Sequence, residues 1–264
     1  YGRDQYTRLE KRCTTLQCGG HVRTIKHYFD IYRNFVATST AEALSFRLNF
    51  LMITIVDTFF LISTLGSAYV LFSHVETIGP WNRDKLLFFL CFMLAVDDWQ
   101  NLLVTNNFWM LSSDLKEGNL DYVFLKPVKS LFPLFFKYLR IASLGSVITT
   151  AVLLIYFGLE LNFSILQWFL LPPLLLLALV LRSLIEMAIA LMMFWTTEGT
   201  GINFIRLQLQ SVSRWPDFIY KGLAKKALLT LVPVLLIGSA PLHFLFDFSQ
   251  WQMLLLLVSL CFVF

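Results

Sequence analysis

From Phe46 to Phe72 the chain carries only two charged side chains, Arg47 and Asp57. A helix of that length crosses the roughly 30 Å hydrocarbon core of a bilayer with some tilt. Comparable runs follow at Leu86–Met110, Leu134–Leu159 and Leu166–Trp195, with a shorter one at Ala227–Phe246 and the start of another from Trp251 to Phe264. Composition agrees, since 57% of residues are hydrophobic and 14% are charged, against roughly a quarter charged in soluble domains. The expected fold is therefore an all-α integral membrane protein with six transmembrane helices, the sixth incomplete.

Ahead of the first span, residues 1–20 are polar and without apolar periodicity, and are expected to be disordered or extraneous. Residues 21–45 differ: Ile25, Tyr28, Phe29, Tyr32, Phe35 and Val36 recur at helical spacing between Arg23, Lys26, Arg33 and Asn34. That pattern predicts an amphipathic helix lying in the membrane interface. No apolar core precedes it, so no cleavable signal peptide is expected, and the first span is expected to act as its own insertion signal. The transmembrane domain is expected over 46–264.

Basic residues orient such a chain. Most of the 21 Lys and Arg lie before the first span, in a connection holding Lys116, Lys126, Lys129, Lys137 and Arg140, or in a second one holding Arg206, Arg214, Lys221, Lys225 and Lys226. The opposite side has Arg83 and Lys85, and Arg182 falls within a span. The N-terminus and both connections are thus expected in the cytoplasm. A net charge of +4 gives no reason to expect a nucleic-acid partner; the partner implied is the lipid bilayer.

Polar residues inside the spans need protein or water around them, because a carboxylate at bilayer depth costs about 2.5–3.5 kcal/mol on insertion scales. Asp57 shares an arc of the first span with Thr54, Thr58 and Thr64, and reads either as a helix contact or as part of a pathway. Asp97, Asp98, Asn101 and Thr105 share one half of the second span, which suits an interhelical polar seam or the lining of a path. Adjacent carboxylates point about 100° apart, poor geometry for a shared metal. Arg182 and Glu186, four apart, are expected to form an ion pair along the fourth span.

Other chemistry lacks its residues. Cys13, Cys18, Cys91 and Cys261 form no CxxC pair, and Cys13 and Cys18 with His21 and His27 match no zinc spacing, so no metal site is expected. The chain contains no GxxxxGK[ST], no HExxH and no GxSxG. No catalytic constellation is present, and no enzymatic activity is expected.

The polar island Ser112–Phe132 is better specified than a loop requires. Asp114, Glu117 and the run GNLDYVFLKP, in which Gly118, Leu120, Asp121, Leu125, Lys126 and Pro127 stand, resemble the loop after the second span of ABC-2 type permeases, in the bacterial branch known as ABC-2 family transporter protein. Ile78-Gly79-Pro80-Trp81, Phe194-Trp195, Trp215-Pro216, Pro233 and Ala240-Pro241 extend the resemblance in the same order. The resemblance implies a type V exporter-like architecture in the bacterial cytoplasmic (inner) membrane. It implies the membrane subunit of an ATP-binding-cassette transporter, paired with an identical or related second permease and driven by a separate cytosolic ATPase that uses ATP and Mg; no cofactor is implied for this chain. The 112–132 loop would be the coupling element. Asp114 with Glu117 resembles a capping box, Gly118 allows a sharp break, and Pro127 would end helical structure at Lys126. Leu120, Tyr122, Val123 and Phe124 would then offer apolar contact area. From Pro233 to Gln250 the family's bent fifth span and a re-entrant hairpin are implied. The alternatives are a membrane scaffold that anchors cytosolic partners without transport, and an intramembrane enzyme using Asp57, Asp97 or Asp98.

Overall fold

In the computed structural model, which describes residues 20–74, 77–125, 129–196, 199–230 and 232–263, the second apolar run becomes a helical rod from Arg83 to Lys116. In chain order, helix α1 (Gly20–Ser45) leads into α2 (Arg47–Phe72), a two-residue hairpin β1 (Thr77–Ile78) and β2 (Trp81–Asn82), and α3 (Arg83–Gln100). A π-helical turn at Asn101–Thr105 joins α3 to α4 (Asn106–Lys116). Then come the short α5 (Leu120–Phe124) and α6 (Leu131–Phe136), the long α7 (Leu144–Glu160) and α8 (Ile165–Leu191), and α9 (Met193–Thr196). The chain ends through α10 (Gly199–Ser213), α11 (Gly222–Thr230), α12 (Leu236–Phe246) and α13 (Trp251–Val263).

Among the described residues, four helical stretches are long and apolar enough to cross a membrane: Arg47–Phe72, Arg83–Lys116, Ile141–Glu160 and Ile165–Thr196. They differ sharply in enclosure. The most apolar window of Arg83–Lys116 is 78% buried and that of Arg47–Phe72 only 6%, so the other elements are arranged around the second. Phe88, Phe89, Phe92 and Met93 form the centre of the core with Leu181, Leu236, Ile237 and Leu242.

Several boundaries depart from the sequence expectations. The second span extends past Met110 to Lys116, taking in the first residues of the island. The third begins at Ile141 rather than at Leu134, because the chain breaks after α6 with Arg140 outside helical geometry (φ −92°, ψ 77°). The stretch 227–246 is not one helix. Pro233, which lacks a donor and cannot continue a helix, separates α11 from α12, and α12 is only 11 residues long.

The second connection also differs from a polar loop. Gly199 is backed directly against Ser112, the Arg206 guanidinium lies 4.4 Å from the Phe108 ring centre, and Arg214 donates to Asp97 at 2.8 Å. Phe218 then meets the Trp81 ring at 5.0 Å. Residues 199–218 thus run antiparallel along the whole second span. This segment is amphipathic, and its polar stripe faces protein. Ile202, Asn203, Arg206 and Ser213 are all buried.

Helix α8 starts with a capping box that the sequence S-I-L-Q encodes. Ser164 caps the Gln167 backbone N–H while the Gln167 side chain accepts from the Ser164 N–H at 2.8 Å. The same Gln167 amide donates to the Leu245 carbonyl at 2.9 Å, fixing α12 to the start of α8.

Gly238 of α12 lets that helix approach α3. A Cβ there would collide with Met93 Sδ and come within 3.1 Å of the Phe89 ring. Gly238→Val is therefore expected to lower stability by about 1–3 kcal/mol through overpacking. A clear fall in the thermal unfolding midpoint of detergent-purified protein checks this, and an unchanged midpoint would show that α12 can lift away freely.

Candidate functional site

At the Lys116 end of the rod the helix is closed by a Schellman motif. Gly118 has φ +73°, the Asn119 N–H donates to the Asp114 carbonyl at 2.9 Å, and the Gly118 N–H donates to Leu115 at 3.4 Å. The left-handed position is the reason for glycine here. Asp114 therefore belongs to the last turn of α4, and the expected Asp114–Glu117 capping box does not form. Glu117 instead accepts from Ser113 Oγ and Asn119 Nδ2, each at 2.8 Å.

After this turn α5 lies with two faces. Leu120 and Val123 are buried, Leu120 within a cluster containing Val104, Phe108, Leu111 and Met193. Tyr122, Phe124 and Leu125 point outward, with Leu125 81% exposed. The apolar contact area expected for the whole segment is thus divided, half holding the element down and half presented. Asp121 is exposed beside it. Lys126 and Pro127 lie outside the described residues.

This end is braced from two sides. Buried Asn107 donates to the Phe135 and Tyr138 carbonyls at 2.8 and 3.2 Å and accepts from the Tyr138 N–H at 2.8 Å, so one side chain fixes the chain reversal after α6. Asn107→Leu leaves those backbone groups without a partner in a buried place, and is expected to cost about 1–3 kcal/mol. Faster backbone hydrogen exchange confined to 131–140 is the measurement. On the other side α1 lies along the same reversal: Tyr28 Oη accepts from the Lys129 N–H at 3.1 Å, and Tyr28 and Tyr32 meet Phe132 and Phe136 edge-on.

Deeper in the rod is a chain of alternating charge. Arg206 pairs with Glu186 (2.8 Å), Glu186 with Arg182 (3.1 Å), Arg182 with Asp97, and Asp97 with Arg214 (2.8 Å). Gln210 also donates to Asp97, at 3.3 Å. The chain starts and ends on the segment 206–214, so it clamps that segment to both α3 and α8. The Arg182–Glu186 pair expected from spacing is present, but Arg182 also bridges to Asp97. Arg206 and Arg214, read from sequence as cytoplasmic markers, are ion-paired with Glu186 and Asp97. Their signal was visible as a polar stripe at Asn203, Arg206, Gln210 and Ser213.

Asp98 diverges from Asp97, as helical geometry requires, and accepts from Thr150 Oγ1 at 3.0 Å. Asp57 meets Arg140 at 3.4 Å, while Thr54, Thr58 and Thr64 bond back to carbonyls of their own helix. Asn101 opens the π turn. The structure thus brings Asp97, Arg182 and Glu186 into one network, sets Asp57, Asp98 and Asn101 around a cavity beside it, and keeps the 114–125 group apart at the rod's end. Among the described residues, no group of three or more His, Cys, Asp or Glu is placed to hold a metal ion.

Comparison with curated proteins returned no match, and neither did comparison with solved structures. Residues 52–264 match the family described as ABC-2 family transporter protein. The whole of the rod, its charged clamp and its terminal turn fall inside that match, and the chain belongs to the ABC-2 transporter family.

Proposed function

We propose that the chain is the membrane-spanning permease subunit of an ATP-binding-cassette exporter. It works as a pair, with an identical or related permease, on cytosolic ATPase subunits that bind ATP and Mg. The observation that carries the reading is the unbroken mechanical link from Tyr122, Phe124 and Leu125 to the most enclosed of the four long helical stretches. A rigid-body push on that patch reaches α4 through Leu120, Val123 and the Schellman turn, and reaches α6 and α7 through Asn107. Motion imposed at one end of a packed element is a recognised way of switching access at a distance.

In this reading the N-terminus and residues 112–132 lie in the cytoplasm of a bacterial inner membrane. Lys116, Lys129 and Lys137, with the basic residues of α1, supply the positive-inside signal. The affinity-purified chain alone is expected to hydrolyse no ATP, and co-purification from the native membrane is expected to bring down an ATPase. Proteoliposomes of that complex should move cargo only with ATP and Mg. Recovery of cytosolic proteins without any ATPase would favour the scaffold reading instead.

A further inference from the structure

Two cavities lie in file in the groove between the end of α1, α2, the rod and the stretch 139–146 that leads into α7. The outer one, about 120 Å³, includes Glu42, Asn49, Ile53, Asn106, Arg140 and Ala142 in its lining. The inner one, about 60 Å³, includes Asp57, Asp98, Asn101 and Ser146. Each wall shifts by about one helical turn from the first to the second: Ile53 to Asp57, Asn106 to Asn101, Ala142 to Ser146. Between them stands one ion pair, in which Arg140 from the outer lining reaches Asp57 from the inner lining.

That pair is unlike the clamp next to it. It is a single contact of 3.4 Å between side chains 28% and 19% exposed, whereas Arg182 and Asp97 are 3% and 5% exposed. The π turn at Asn101–Thr105 occupies the same level, and the Arg140 N–H donates to the Leu102 carbonyl within it at 3.1 Å. Such wide turns inside α-helices recur at functional sites. Past the pair, Asp98 is the one carboxylate of the inner lining for which, among the described residues, no cationic side chain lies within ion-pair distance.

We infer that the Arg140–Asp57 pair gates a polar path along which water and small cations reach Asp98 from the Glu42 side. Size decides the class of solute. Pockets for drug-sized ligands run to about 300–1,000 Å³, whereas a water occupies about 30 Å³ of liquid, so these cavities suit a few waters or an ammonium-sized ion. Glu42 at the mouth and Asp57, Asp97 and Asp98 in the inner lining outnumber Arg140 and Arg214, and so favour positive charge. Only the side on which the path opens rests on the orientation proposed above; the path itself does not need the ATP-driven reading.

The test uses the full chain in membrane vesicles, its four cysteines replaced by alanine and Ser146→Cys introduced in the inner cavity. Aminoethyl methanethiosulfonate (cationic) or its sulfonatoethyl counterpart (anionic) is added to one face, with a thiol scavenger on the other. With the pair intact, labelling is expected to be slow. Arg140→Gln is expected to raise the cationic reagent's rate about tenfold, the effect of losing a half-buried pair; Asp57→Asn also breaks the pair but leaves the Arg140 charge in the path, and should raise it less. The exchange Asp57→Arg with Arg140→Asp should slow it again. A rate unmoved by both single variants, or an anionic reagent that reacts faster, overturns the proposal. Acceleration seen only from the face opposite the N-terminus supports the path and overturns the orientation.

Discussion

Asp97→Ala is expected to lower the unfolding free energy by about 3–5 kcal/mol, the cost of leaving a buried charge without its partner. Two guanidinium groups lose their carboxylate at once. Arg182 keeps Glu186, but Glu186 is already shared with Arg206, and among the described residues the Arg182 Nη2 and Arg206 Nε groups have no hydrogen-bond partner even in the intact protein. The remaining cluster would hold three arginines against one carboxylate. Chemical unfolding in mixed micelles, or the thermal midpoint where unfolding is irreversible, measures the loss.

A second variant separates charge pairing from simple packing. Asp97→Leu combined with Arg182→Met removes both members of the central pair and leaves Arg206–Glu186 intact. Because apolar replacement of a buried pair is often neutral, much of the lost stability should return, although Arg214 then lacks its carboxylate. If Asp97→Ala alone were neutral, the alternating chain would not be the clamp that holds 206–214 against α3 and α8. If the double variant were as unstable as the single one, the clamp would depend on Arg214 more than on Arg182.

The long helices were legible because their signal is local. Length and lack of charge alone define Phe46–Phe72 and Leu166–Trp195, and the ends found differ from those runs by a residue or so. Boundaries failed where the deciding contact is distant. The start of the third span depends on Asn107, which ties back the chain after α6 from far away in sequence; without that bond Leu134–Leu159 reads as one apolar run. Similarly, the charge count that assigned Arg206 and Arg214 to a cytoplasmic connection says nothing of their partners, because it weighs each residue by position alone. Pairing them with Asp97 and Glu186 required knowing that 199–218 runs back along the second span. The island shows both cases: Gly118 was read correctly as a break, since its positive φ is a property of one residue, whereas Asp114 and Glu117 fit a capping pattern that the helix end at Lys116 forbids.

At the surface, Tyr122→Ala with Leu125→Ala is expected to leave the thermal midpoint nearly unchanged and to weaken ATPase binding by about tenfold or more. Exposed side chains contribute little to the permease fold, while truncating an aromatic anchor at an interface costs about 2 kcal/mol, a factor of about 30 in Kd. The paired control lies on the other face of the same helix. Leu120→Ala removes a buried leucine and is expected to cost about 2–5 kcal/mol of stability, since Leu120 packs on Phe108 and Leu111. Gly118→Val sits between the two, because a β-branched residue at φ +73° strains the turn by about 1–2 kcal/mol and tilts the patch without removing it. Co-purified ATPase per permease and ATP-driven transport, both normalised to folded protein, read all three. Wild-type coupling in the Tyr122→Ala, Leu125→Ala variant would move the ATPase contact away from α5, and loss of stability in that variant would mean that the outward face is covered by something within the permease pair. Intact folding with lost coupling is the outcome that a short lever on the end of the most enclosed long helix requires.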